Sequence, residues 1–123
     1  MKLLQISCGA LSLVAMLVLL SPAKSLAQDP LKVAPGMYKL LMENESVRVM
    51  EFTFKAGDKI GMHSHPDHLL YVLKPGTVTI TTSDGKASEV IAKEGEVMWM
   101  PAVTHSAVNN GKTEFKGLVV EIK

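Results

Sequence analysis

Residues Gly57–Gly76, GDKIGMHSHPDHLLYVLKPG, carry three of the four histidines of this 123-residue chain within six positions. They are His63, His65 and His68; the fourth, His105, ends a second stretch, GEVMWMPAVTH, that begins at Gly95. Residues two apart on a β-strand project to the same face. A strand over Lys59–His65 therefore sets the rings of His63 and His65 side by side, placed to grip one ion. Pro66 has no N–H for a sheet ladder and ends that strand. His68 follows at the start of an apolar strand, Leu69–Leu73, where a bend could turn it back toward the same ion. A surface turn with solvent-facing histidines would show the same local spacing. The gathering of every histidine into these two strand-turn units favours a metal site with His63, His65, His68 and His105 as candidate ligands.

Outward from this stretch the chain reads as short strands. Val47–Phe54, VRVMEFTF, alternates, with Met50, Phe52 and Phe54 on one face, headed by Arg48, and Val47, Val49, Glu51 and Thr53 on the other. Further strands are expected over Met37–Met42, Thr77–Thr82, Ala87–Ala92, Glu96–Met100, Ser106–Val108 and Glu114–Ile122. Turn residues separate them at Glu43–Ser46, Lys55–Asp58, Ser83–Lys86, Lys93–Gly95 and Asn109–Lys112. Gln28–Gly36, QDPLKVAPG, is polar with two prolines and reads as an extended arm. No helical periodicity follows residue 27. Strands recurring every eight to twelve residues indicate an all-β sandwich or barrel. Tyr71 and Trp99 are expected in its core or pocket wall. Arg48 is expected at a solvent-exposed edge, and Glu51 and Asp67 in surface or turn positions.

Residues 1–27 have a different character. A basic start, Met1-Lys2, precedes the apolar run Leu11–Leu20, then Ser21-Pro22, then Ser25-Leu26-Ala27 with small residues at the −3 and −1 positions of a cleavage site. This is the layout of a secretory signal-peptide helix. The run falls short of the ~20 residues of a comfortable membrane span, although an uncleaved anchor has a similar outline. The expected location is periplasmic or secreted, with no membrane association once the leader is removed. Lys2, Lys24 and the single cysteine, Cys8, leave with it. The remaining chain holds 11 basic and 12 acidic residues and no cysteine. That composition excludes disulfides and thiolate chemistry, and with no basic run it offers nothing to nucleic acid.

The two histidine stretches resemble the paired motifs of the cupin superfamily. The first motif is G-x5-H-x-H-x3-4-E-x6-G; Gly57, His63 and His65 match it without a gap. Counting back from Gly76 puts Leu69 in the glutamate slot. Aligning the Tyr71-Val72-Leu73 strand puts His68 there instead, the register that supplies a ligand. The second motif is G-x5-P-x-G-x2-H-x3-N. Gly95 and Pro101 match, the inner glycine is absent, His105 comes one residue early, and Asn109 keeps the three-residue gap. The likeness covers nearly all the chain after Gln28 and is greatest to small single-domain bacterial cupins, some of which carry a β-alanine-degradation label. One fold hosts many functions, so that label is weak guidance. The resemblance implies a double Greek key jelly-roll barrel over residues 37–123, after a leader at 1–27 and an arm at 28–36. It also implies that the two motif halves come face to face and bring His105 to the other three histidines.

Imidazole suits zinc, copper, iron and nickel; the expected cofactor is a divalent transition metal, one of these or manganese. Neutral ligands leave the ion's charge uncompensated, so the site is expected to attract a small anionic ligand such as a carboxylate or enolate. An open position would make the protein a metal-dependent enzyme of dioxygenase or isomerase type, acting on a small organic acid or carbonyl compound. A non-catalytic binding module for a metal or small ligand has the same sequence features. Six methionines follow the leader, which raises copper(I) handling; they sit singly on strands apart from Met98-Trp99-Met100, which favours gap-filling in a small core. A homodimer is expected, with the arm and first strand pairing across a two-fold axis.

Overall fold

The structure, a computed structural model, describes residues 28–123; the expected signal-peptide helix lies outside the described residues. Nine strands follow one another: β1 (Tyr38–Glu43), β2 (Val47–Phe54), β3 (Lys59–His65), β4 (His68–Lys74), β5 (Gly76–Thr82), β6 (Ala87–Ala92), β7 (Val97–Met100), β8 (Val103–Asn109) and β9 (Phe115–Ile122). They form two antiparallel sheets, a five-stranded one in the order β1-β2-β9-β4-β7 and a four-stranded one in the order β3-β8-β5-β6. This is a jelly-roll-like all-β fold.

The two histidine-bearing units meet edge to edge, not face to face as expected. β3 pairs with β8 in the four-stranded sheet, while β4 pairs with β7 in the five-stranded one. The break at Pro66-Asp67 between β3 and β4 is therefore a crossing from one sheet to the other. Asp67 serves that crossing, its carboxylate accepting from the Ala102 N–H at 2.8 Å.

The core lies between the sheets. Met50, Phe52 and Phe54 turn inward along β2 and meet Tyr38, Val72, Phe115 and Val119. Phe52 sits 4.9 Å from Phe115 and 5.2 Å from Phe54, ring centre to ring centre. Full burial of each such side chain contributes roughly 1.5–3 kcal/mol. Gly117 on β9 makes this packing possible: a Cβ there would stand 2.6 Å from the Tyr71 carbonyl oxygen and 2.7 Å from the tip of Phe52.

Three further expectations change. The arm is not wholly extended: Pro30–Val33 form one helical turn, α1. Asp29 caps it through the Leu31 N–H and Pro30 opens it, a favoured pairing at a helix start. Pro30 is fully buried, and α1 packs on β1 and β3 of its own chain. Tyr71 and Trp99 are not core residues; they are 40% and 56% exposed on the outward side of the five-stranded sheet. Arg48 does not face solvent but is held inward by two carboxylates. Among the described residues no helix is long and apolar enough to cross a membrane.

Candidate metal centre

β3 delivers His63 and His65 to the barrel interior because Ser64 between them takes the outward position, where its hydroxyl meets that of Thr104 at 2.8 Å. β8 lies alongside with His105 directly opposite His63 in register. A bulge between Ile60 and His63 sets that register. Ligand nitrogens of His63, His65 and His105 lie within 4.8 Å of one another, and all three residues are buried. Rotation about the side-chain bonds closes such a spacing onto one ion at the ~2.0–2.1 Å typical of zinc–imidazole bonds.

His68 begins β4 in the other sheet. It is buried, its ring centre 4.7 Å from that of His65, and it faces the same cavity. It stands beside the three-histidine cluster, not within it.

The protons are placed by the surroundings. His63 Nδ1 lies 2.8 Å from the Gly61 carbonyl, and His68 Nδ1 lies 2.7 Å from the Pro66 carbonyl. Each carbonyl requires an N–H opposite it, so the neutral ring keeps its lone pair at Nε2. His65 Nδ1 is fixed similarly, 2.7 Å from the Glu121 carboxylate. Burial drives the pKa of His63 down to about 4 and that of His105 to about 3, with the neighbouring histidines adding to the effect. Burial likewise lowers His68. These rings are therefore neutral near pH 7, the state in which imidazole binds a metal.

Two buried nitrogens, His63 Nε2 and His105 Nδ1, have no hydrogen-bond partner among the described residues. Leaving such an atom unsatisfied costs about 1–3 kcal/mol. A cation at the cluster relieves that cost, so the residues fit a divalent transition metal.

Glu121 escaped the sequence reading. It is 3% exposed on β9 and stands between Arg48 of β2 and His68 of β4 in register, while its side chain reaches across to His65. Arg48 donates to the same carboxylate from Nε at 2.7 Å, with its Nη2 at 2.7 Å from the same oxygen as an ion pair, and its Nη1 meets Asp29 at 2.8 Å. Burial alone pushes the Glu121 carboxyl up, but the hydrogen bonds from His65 and Arg48 and the Arg48 charge hold it below the usual carboxylate range. A carboxylate behind a ligating histidine fixes its tautomer and raises its basicity. The signal was present in β9, where Phe115, Gly117, Val119 and Glu121 share the inward parity.

The cavity over the cluster has a volume of about 70 Å³. Its wall combines the four histidines with apolar side chains such as Phe54, Ile80, Met98 and Met100. Tyr38 also lines it, and burial, with the charge of Glu121, raises its pKa so that the hydroxyl stays protonated. Among the described residues no carboxylate contributes to the wall. Glu51 is paired with Lys116 at 3.3 Å. Asn109, the last residue of the second motif, is wholly buried and closes the turn before β9, donating to the Phe54 and Thr113 carbonyls and accepting from the Gly111 N–H.

A family model described as a cupin domain matches residues 50–121. Among curated proteins none matches the chain. A cupin domain protein from Bordetella pertussis Tohama I is 28% identical, with a TM-score of 0.66 over 71% of this chain and 92% of that one. A cupin 2 conserved barrel domain protein from Leptotrichia buccalis is 30% identical, with a TM-score of 0.54 over 70% of this chain and 40% of that one. A cupin family protein with a double-stranded β-helix fold from Methanocaldococcus jannaschii, 21% identical, shares the fold, with a TM-score of 0.55 over 69% and 77% of the two chains. The family match takes in both histidine stretches and more than half of the sequence. The chain belongs to the cupin superfamily.

Proposed function

We propose that this cupin is an exported, metal-dependent enzyme of dioxygenase or isomerase type acting on a small organic acid or carbonyl compound. The observation that carries the proposal is the placement of three buried imidazoles in the wall of a largely apolar cavity. Three protein ligands leave coordination positions open, as in catalytic sites and unlike closed structural ones. A divalent ion held there supplies Lewis acidity toward a bound oxygen donor or, if redox-active, a route to dioxygen.

The chain's own groups do the rest. Glu121 orients His65 and keeps its Nδ1 protonated. The apolar walls exclude water from around the bound molecule. Tyr38 supplies a hydroxyl donor for a ligand oxygen. His68 retains one free lone pair at Nε2, available as a fourth ligand or a proton acceptor. With no carboxylate in the wall, a hydrolytic base of that kind is lacking, which favours oxygen chemistry or isomerisation over hydrolysis. Asp29, Arg48 and Glu121 together carry one net negative charge behind His65. With a divalent ion the balance is +1, suited to a monoanionic carboxylate or enolate.

Elemental analysis of natively purified protein, followed by turnover assays with small carboxylates and diketones, tests this reading. One ion per chain with turnover supports it. Tight ligand binding without turnover would instead make the protein a periplasmic binding module. Met98 and Met100 in the same wall favour a second reading, copper(I) handling through thioethers. A metal shell free of sulfur in the copper-loaded protein would remove it.

A further inference from the structure

The short helix α1 and the residues beside it lie against β3, the strand that carries His63 and His65. The Ser64 hydroxyl, between those two ligands in the chain, donates to Gln28 Oε1 at 3.1 Å. The Val33 side chain sits beside Gly61, where a Cβ would meet it at 3.9 Å. The Gly61 carbonyl is the group that holds His63 Nδ1. The arm is itself fixed, with Pro30 fully buried and the Ala34 carbonyl accepting from the Tyr38 N–H at 3.1 Å.

A second line of contacts runs from the arm to the other ligand. Asp29 Oδ2 holds Arg48 Nη1 at 2.8 Å, Arg48 Nε donates to Glu121 Oε2 at 2.7 Å, and Glu121 Oε1 meets His65 Nδ1 at 2.7 Å. Water has little access to replace these links, since the side chains of Arg48 and Glu121 are 15% and 4% exposed. We propose that the arm Gln28–Ala34 is a positioning element of the metal centre, and that Asp29 and Arg48 are positioning residues that set the His65 ring through Glu121. The inference rests on the three-histidine cluster being the metal site. A ligating ring keeps its orientation only when the groups behind it are fixed in their turn.

The charges argue for orientation rather than attraction. A guanidinium near the cluster repels a bound cation, so as a bare charge Arg48 weakens metal binding. Its shape has another use: the planar fork meets two carboxylates at once and keeps either from turning. Both oxygens of Asp29 are committed as well, Oδ2 to Arg48 and Oδ1 to the Leu31 N–H at 3.0 Å. Both oxygens of Glu121 are likewise taken, so turning this carboxylate breaks a contact at one end or the other.

In the full chain, Arg48→Gln separates the two roles by sign. Loss of a nearby cation, acting alone, would tighten zinc binding; loss of positioning should weaken it by about ten-fold, the lower end of the range for a partner behind a ligand. Asp29→Asn keeps the cap of α1, because asparagine caps as well as aspartate, and removes only the charged tie. It should weaken zinc binding by a few-fold, being one link further out. In the metal-free protein both variants should shift the ring ¹⁵N resonances of His65 more than those of any other histidine. If Arg48→Gln fails to fold, Asp29→Asn decides through those resonances. Lowered stability with unchanged zinc affinity and unchanged His65 resonances would overturn the proposal, as would tighter zinc binding by Arg48→Gln. Unaltered protein that binds no zinc would refute the metal centre instead, and the His65 resonances of the metal-free variants would still show whether the arm sets that ring.

Discussion

The four-stranded sheet alternates between an apolar inner row and a polar outer one, whereas the five-stranded sheet carries apolar rows on both faces, with Glu51 and Lys116 paired on the outer one. Along β5, Val78 and Ile80 turn inward while Thr77, Thr79 and Thr81 face out; along β8, His105 and Ala107 are buried between Thr104, Ser106 and Val108. Along β4 and β9, by contrast, the runs Leu69–Leu73 and Leu118–Val120 leave no polar outer row. Alternation is the mark of a sheet with one face in water, and a continuous run that of a strand covered on both sides. The interiors differ too. The four-stranded sheet supplies the three clustered imidazoles, and the five-stranded sheet supplies most of the aromatic packing together with the Arg48–Glu121 pair. Metal binding and barrel stability should therefore respond to different substitutions.

The largest effect should come from the inner face of the four-stranded sheet. A His63→Ala/His105→Ala variant should bind the metal about a thousand-fold or more weakly, having lost two of three ligands, yet keep its β-sheet circular dichroism. Retention of one ion per chain by equilibrium dialysis would erase the distinction between the sheets. On the other side, Phe52→Ala should cost about 3–5 kcal/mol in chemical denaturation, since Phe52 is 3% exposed amid the aromatic cluster.

Acid should act through the histidines of the metal-free protein. In the folded protein the pKa values of His63 and His105, about 4 and about 3, lie below the ordinary histidine value of about 6.5. The unfolded chain thus takes up protons first as pH falls. Stability is intact above about pH 6.5 and declines below it, by up to about 1.4 kcal/mol per pH unit for each ring. Glu121, also lowered, adds to the loss only as it protonates at still lower pH. Denaturant midpoints that do not change between pH 7 and 5 would contradict this.

Glu121→Gln should raise the metal dissociation constant by about 10–100-fold by calorimetry. It should also free the His65 tautomer, visible as altered ring ¹⁵N shifts, which loss of packing alone would not produce. The smallest change belongs to the outer face of the four-stranded sheet, where Thr81→Val should move stability by no more than about 0.5 kcal/mol.

Much of this architecture was legible in the sequence, and the parts that were not share a physical cause. Val47–Phe54, Lys59–His65 and Ala87–Ala92 form strands with the expected bounds, because turn residues flank them and alternation or a β-branched pattern runs through them. The His-x-His pair could be placed on one face from its spacing alone. Tyr71 and Trp99 lie in unbroken apolar runs that carry no parity, and only pairing decides which side of such a run faces the core. Arg48 and Glu121 sit at inward parity on β2 and β9, but a lone charge at a strand end reads as surface. Only their cross-strand register shows that they neutralise each other. The helical turn at Pro30–Val33 has its cap and its proline, yet four residues are too few to display a period.

X-ray absorption on the protein loaded with one equivalent of zinc or iron(II) tests the account most directly. Three imidazole rings in the first shell, with nitrogen near 2.0–2.2 Å and the remaining positions filled by light atoms, is the predicted result. A shell of oxygens without imidazole scattering, or zinc and iron(II) that pass through a desalting column unbound, would contradict it.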